Sequence, residues 1–109
     1  MDKEGRTLLN RLYAESDHDL NKRGALIFFC ADFEIFLKEA LSWMEPVVAQ
    51  DGGKTGELLF LYGRLLALNG EKQEGLKMME KAQGMVQEDQ GRLKMSKEIV
   101  KLRRELGKG

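Results

Sequence analysis

The sequence predicts an all-α protein, an array of antiparallel helix pairs with five to six helices, closed by an amphipathic helix at its C-terminal end. Three observations predict it. Apolar residues recur at helical spacing, i, i+3 and i+4, along nearly the whole chain. No stretch alternates apolar and polar residues with the Val, Ile and Thr enrichment of a strand. A single proline interrupts, and 42% hydrophobic against 33% charged residues give each helix a core face and a solvated face. At 109 residues the chain reads as one domain, 1–109, large enough to sustain a core without staples.

The first helix is predicted over 3–15, where Leu8, Leu9, Leu12 and Tyr13 share a face. Ser16-Asp17-His18-Asp19 then offers short side-chain acceptors, which places the next helix start near Asp17 or Asp19. That helix runs through Leu20, Gly24, Ile27 and Phe28 to about Cys30. Asp32 reads as the cap of a third helix beginning near Phe33 and burying Phe33, Phe36, Leu37, Ala40 and Leu41. Pro46 lacks an amide hydrogen and crowds the preceding turn, so a kink or stop is expected near Glu45. Gln50 to Thr55, with two glycines among polar residues, is the clearest loop.

Gly56 to Asp89 reads as two amphipathic helices folded back on each other around Asn69-Gly70. Gly63 and Gly75 each cost roughly 1 kcal/mol of helix propensity against alanine, a cost explained if two helix axes approach closely there. The last segment, 90–107, carries Met95, Ile99, Leu102 and Leu106 as one stripe, with Leu93 and Val100 at its edges and Lys, Arg or Glu elsewhere. One greasy stripe on a charged helix is the pattern of a cap over an exposed apolar flank.

The 56–89 stretch resembles a tetratricopeptide (TPR) repeat. Leu59, Gly63, Leu66, Gly70, Gly75, Met79 and Ala82 hold that family's large, small and turn positions. Sliding the chain by 39 residues sets Leu20 on Leu59, Gly24 on Gly63 and Ala31 on Gly70, so 17–50 resembles a degenerate repeat, with Phe36 where the family has a small residue. The resemblance implies a short TPR-like array whose first helices line a groove. It implies groove positions at His18, Asn21, Ala25, Phe28 and Phe29 and at Glu57, Phe60, Arg64, Ala67 and Leu68. Asn21, Phe29, Glu57, Phe60 and Arg64 are the partner-binding candidates. Large or planar groups among them anchor interfaces best, and Phe29 and Phe60 have core packing as their competing role. Ala25 and Arg64 stand where a carboxylate-clamp asparagine is implied, which argues against that subclass.

Catalytic, metal and cofactor chemistry find little support. His18 is the sole histidine and Cys30 the sole cysteine, and Cys30 lies in the apolar run Leu26 to Cys30, where a thiol is a small core group. Gly53-Lys54-Thr55 matches the end of a phosphate-binding loop, but Val48 stands where the motif needs a glycine. The reading is therefore a non-enzyme without cofactors, a protein-interaction module such as an adaptor or small chaperone, binding a helix or peptide of another protein and open to homodimerisation. No apolar run is long enough for a bilayer, and MDKEGR lacks the order of a signal peptide, so a cytoplasmic location is expected.

Eighteen basic residues balance eighteen acidic ones, which argues against general nucleic-acid binding. From Arg92 onward, however, seven basic residues face two acidic ones. The alternative function is thus a regulatory domain touching nucleic acid through its basic last helix.

Overall fold

The computed structural model of the chain describes residues 3–15 and 19–108, with the side chains of Leu20, Asn21 and Lys108 also outside the description. Among the described residues there are six helices and no strand: α1 (Lys3–Glu15), α2 (Leu20–Asp32), α3 (Leu37–Asp51), α4 (Gly56–Leu68), α5 (Lys72–Met85) and α6 (Asp89–Lys108). His18 and Asp17 lie outside the described residues. Asp19 caps α2, its carboxylate accepting from the Lys22 amide at 3.2 Å.

The second and third helices do not meet at Asp32. α2 ends instead in a Schellman turn, in which the Ile35 amide donates to the Cys30 carbonyl at 3.0 Å and the Glu34 amide to Ala31 at 3.2 Å. Glu34 takes the left-handed position (φ 51°), and Phe36 is left-handed as well (φ 51°), so α3 opens at Leu37 rather than Phe33. Phe33 consequently stands 65% exposed instead of entering the core.

Pro46 lies inside α3, which runs on to Asp51 without stopping at Glu45. The position explains this difference. Pro46 and Ser42, the residue whose carbonyl it leaves unpaired, are both on the exposed face, where water satisfies that carbonyl. The buried face carries Ala40, Trp43, Met44 and Val47. Gly52, left-handed at φ 72°, closes the helix, its amide donating to Val48 at 2.9 Å. Thr55 then donates from both amide and hydroxyl to the Asp51 carboxylate, each at 2.8 Å.

α4 is the central element, with seven buried residues. Leu61 and Leu65 face a core shared with α1, α2 and α3, while Leu59 and Phe60 face a second core shared with α5 and α6. Glycines let α5 close against it. An added Cβ at Gly63 would stand 2.7 Å from the Gly75 carbonyl, and one at Gly56 2.8 Å from a Val86 methyl. These contacts set α5 antiparallel to α4 around Gly70, left-handed at φ 96°.

α6 returns antiparallel to α5, tied by Glu80 to Arg103 at 2.6 Å and by Lys72 to Glu105 at 3.6 Å. Met95, Ile99 and Leu102 are buried against Met79, Ala82 and Val86, as the stripe predicts, and Leu93 and Val100 stay exposed. At the other end, α1 packs against α2 and reaches α3 through side chains. Leu9 is buried, Tyr13 stacks on Trp43 with centroids 4.5 Å apart, and Arg6 reaches Glu39 at 3.4 Å.

A shift of 36 residues carries Leu20 to Gly56, Asp32 to Leu68 and left-handed Glu34 to left-handed Gly70. This spacing of helix ends differs by three residues from the 39-residue alignment, which sets Ala31 on Gly70.

Candidate binding groove

Because α5 reverses α4 and α6 reverses α5, α4 and α6 run the same way. α2 joins them in that direction: its early residue Gly24 meets Leu58 near the start of α4, and its last residue, Asp32, meets Arg64 one turn before the end. Three parallel helices thus form a trough, with α4 as floor and α2 and α6 as walls.

Two recesses lie along it. The one beside the first halves of α4 and α6, about 400 Å³, has Phe28, Phe60 and Met95 as its apolar surface and Glu57, Lys94 and Lys97 at its rim. The one at the C-terminal halves, about 210 Å³, is lined by Ala31, Ala67 and Leu68 and by Asp32, Glu34 and Glu105. Arg64 borders both recesses and is held by Asp32 at 3.1 Å, its side chain 19% exposed.

Of the candidates read from the sequence, Glu57, Phe60 and Arg64 line this trough. Phe60 is only 7% exposed and belongs to the second core, so it serves as floor more than as a projecting contact. Phe29 lies outside both recesses, half-exposed, with its ring 4.7 Å from that of Phe33. Asn21 is in α2, but its side chain falls outside the described residues.

Phe28, one of the groove positions that the resemblance implies, is 37% exposed and lines the first recess together with buried Met95 of the α6 stripe, and neither is among the five candidates. Lys94, Lys97 and Lys101 all face the trough and form no ion pair among the described residues.

Other chemistry is sparse. Cys30 is fully buried, and burial first, then the nearby Glu39 carboxylate, pushes its thiol above the ordinary 9.0. It is therefore a protonated packing group at neutral pH. Burial, with Glu45 and Glu71, likewise raises Tyr62. Among the described residues, no group of three or more His, Cys, Asp or Glu side chains is placed to hold a metal ion. Among them, too, no helix is long and apolar enough to cross a membrane. Comparison with protein-family models, with curated proteins and with solved structures returns no match.

Proposed function

We infer that this chain is a non-catalytic protein-binding module, an adaptor or small chaperone of the cytoplasm, which holds a helix or peptide of another protein in the trough between α2, α4 and α6. The short array would be built in the manner of TPR repeats. One observation carries the reading: an apolar recess of about 400 Å³ stays open over Phe28, Phe60 and Met95, flanked by charged groups that fix orientation. Close glycine contacts between α4 and α5 hold the antiparallel hairpin that presents α4 as the floor of this face.

The test must separate binding from folding. Phe60→Ala with Arg64→Ala abolishes partner capture on this reading, but truncating buried Phe60 also costs about 3–5 kcal/mol. Phe28→Asp is the cleaner variant, because Phe28 is 37% exposed. Capture of partners from a cytoplasmic extract should fall to background for Phe28→Asp with its helical circular dichroism unchanged. Undiminished capture by a folded Phe28→Asp variant sinks the proposal.

A second reading rests on Lys94, Lys97 and Lys101, which share the trough-facing side of α6 and form no ion pair among the described residues. Contact with nucleic acid through them requires binding to a random duplex that weakens steeply with salt. No binding at low salt removes this alternative.

A further inference from the structure

The trough is polar along its length. Its N-terminal recess sets three cations, Arg64, Lys94 and Lys97, against two carboxylates, Glu57 and Glu98. Its C-terminal recess is acidic, with Asp32, Glu34, Glu98 and Glu105 against Arg64 and Lys101; Asp32 is paired with Arg64 and Glu105 with Lys72, which leaves Glu34 and Glu98 to meet a basic turn. The helix dipoles add to the same gradient. α4 and α6 start beside the lysine-bearing recess, which Glu57 and Gly91 of their first turns line, so two amide ends lie there. α2 finishes at Asp32 and α4 at Leu68, both residues of the acidic recess.

The geometry points to a partner that is an amphipathic helix lying antiparallel to α2, α4 and α6, with a basic first turn in the acidic recess, a bulky aliphatic anchor on Phe28, Phe60 and Met95, and a carboxylate-bearing last turn at Lys94 and Lys97. This inference rests on the groove reading above and adds its direction and charge order. An antiparallel helix brings its positive N-terminal dipole end to the carbonyl ends of α2 and α4, whereas a parallel one brings like ends together. Lys94 and Lys97 form no ion pair among the described residues, so carboxylates arriving there break no pair already made. Apolar burial supplies the affinity and the charges select the orientation.

Two labelled peptides of about 16 residues decide it, long enough at roughly 1.5 Å per residue to follow the 13 residues of α4. Both carry leucines on one face and a side-chain staple that equalises their helicity. One has lysines in its first turn and glutamates in its last; the other has the charges exchanged. With the full chain at low salt, the first is expected to bind about five- to tenfold more tightly, the sum of two exposed pairs and the dipole term. The difference should shrink as salt is added. Lys94→Glu with Lys97→Glu, both on exposed positions, should invert the preference. A spin label on the last residue of the first peptide should broaden the amide signals of residues 91–97 more strongly than those of 102–105, about 8–12 Å further along α6.

Equal affinities, or broadening at the acidic end, overturn the orientation while leaving the groove intact. Failure of both peptides to bind, or binding that Phe28→Asp does not weaken, overturns the groove reading with it. A particle of twice the 12.4 kDa chain mass that ignores both peptides assigns the trough to a second copy and overturns the foreign helix.

Discussion

Gly63 of α4 and Gly75 of α5 meet backbone to backbone, each carbonyl lying where the other residue's Cβ would stand, at 2.7 Å and 2.5 Å. Alanine gains about 1 kcal/mol of helix propensity at either place. The obstacle is rigid, however: besides the carbonyls, the Met79 amide nitrogen is 3.0 Å from the Gly63 Cβ position and the Ala67 amide nitrogen 2.8 Å from that of Gly75. Overpacking of this kind costs about 1–3 kcal/mol and wins over propensity. Gly63→Ala and Gly75→Ala should therefore lower the urea midpoint, whereas Gly84→Ala, in the same α5 with nothing within 4 Å, should raise stability by about 0.5–1 kcal/mol. Destabilisation by all three would remove the close-approach argument.

Glu34 and Gly70 end α2 and α4 in the same left-handed position, at φ 51° and 96°. A side chain there costs about 1–2 kcal/mol, and glycine gives back part of that advantage through its freer unfolded chain. Glu34→Gly is expected to stabilise by about 0.5–1 kcal/mol, and Gly70→Ala to destabilise by about 1 kcal/mol. Thermal unfolding of the two variants checks both signs. A neutral Glu34→Gly would mean that α2 ends differently in solution.

The contrast between those two turns shows what was legible in the sequence. Asn69-Gly70 announces its turn because glycine is the residue a left-handed cap prefers, and the α4–α5 hairpin follows from it. Asp32-Phe33-Glu34 announces a helix start, since Asp is a favoured cap and Phe33, Phe36 and Leu37 keep helical spacing. The Schellman turn made by a glutamate carries no such signal, so the spacing predicts a helix start at Phe33, four residues before α3 opens at Leu37. α1 and the buried stripe of α6 were legible because each carries one apolar face at helical spacing. Continuation of α3 through Pro46 was not, because it depends on which face of the helix looks to water.

Asp51 links the end of α3 to the start of α4. The Thr55 amide, then the Thr55 hydroxyl, hold its carboxyl below the ordinary 3.8. A depressed carboxyl contributes stability above its unfolded pKa and loses it as pH falls through the folded one. The contribution of this loop is thus present at neutral pH and fades only below about 3.8. Thr55→Val removes the hydroxyl and keeps the amide, so the Asp51 carboxyl should titrate closer to its ordinary value by carbon-detected NMR. An unchanged titration would show that the hydroxyl does not contribute.

Cys30 provides a second, opposite pH dependence. Its thiol is raised, so burial favours the protonated form: the contribution is complete below 9.0 and is lost as pH rises through the folded value. The urea midpoint should fall between pH 9 and 11 more in the native protein than in Cys30→Ala, measured against each protein's own value at neutral pH. Because the side chain is fully buried, a thiol reagent at pH 8 should label it only as fast as the structure opens. Immediate labelling would place the thiol at the surface.

The N-terminal helix supplies the last prediction. α1 keeps Leu8 52% and Leu12 40% exposed, and its hold on the body comes from buried Leu9, the Tyr13–Trp43 stack and Arg6. The Arg23 guanidinium covers the Tyr13 ring at 4.1 Å, so that one ring joins three helices. Tyr13→Ala removes the stack, about 0.5–1.5 kcal/mol beyond the area it buries. A 13-residue helix is marginal alone in water, so weakened docking should appear as local unfolding rather than global loss. Amides of 3–15 should then exchange markedly faster while those of α4 and α5 keep their protection. Trp43 is the only tryptophan and 9% exposed, so its emission should shift to the red and become accessible to iodide in the same variant. Equal acceleration of exchange in α1 and α4 would instead make α1 part of the cooperative core.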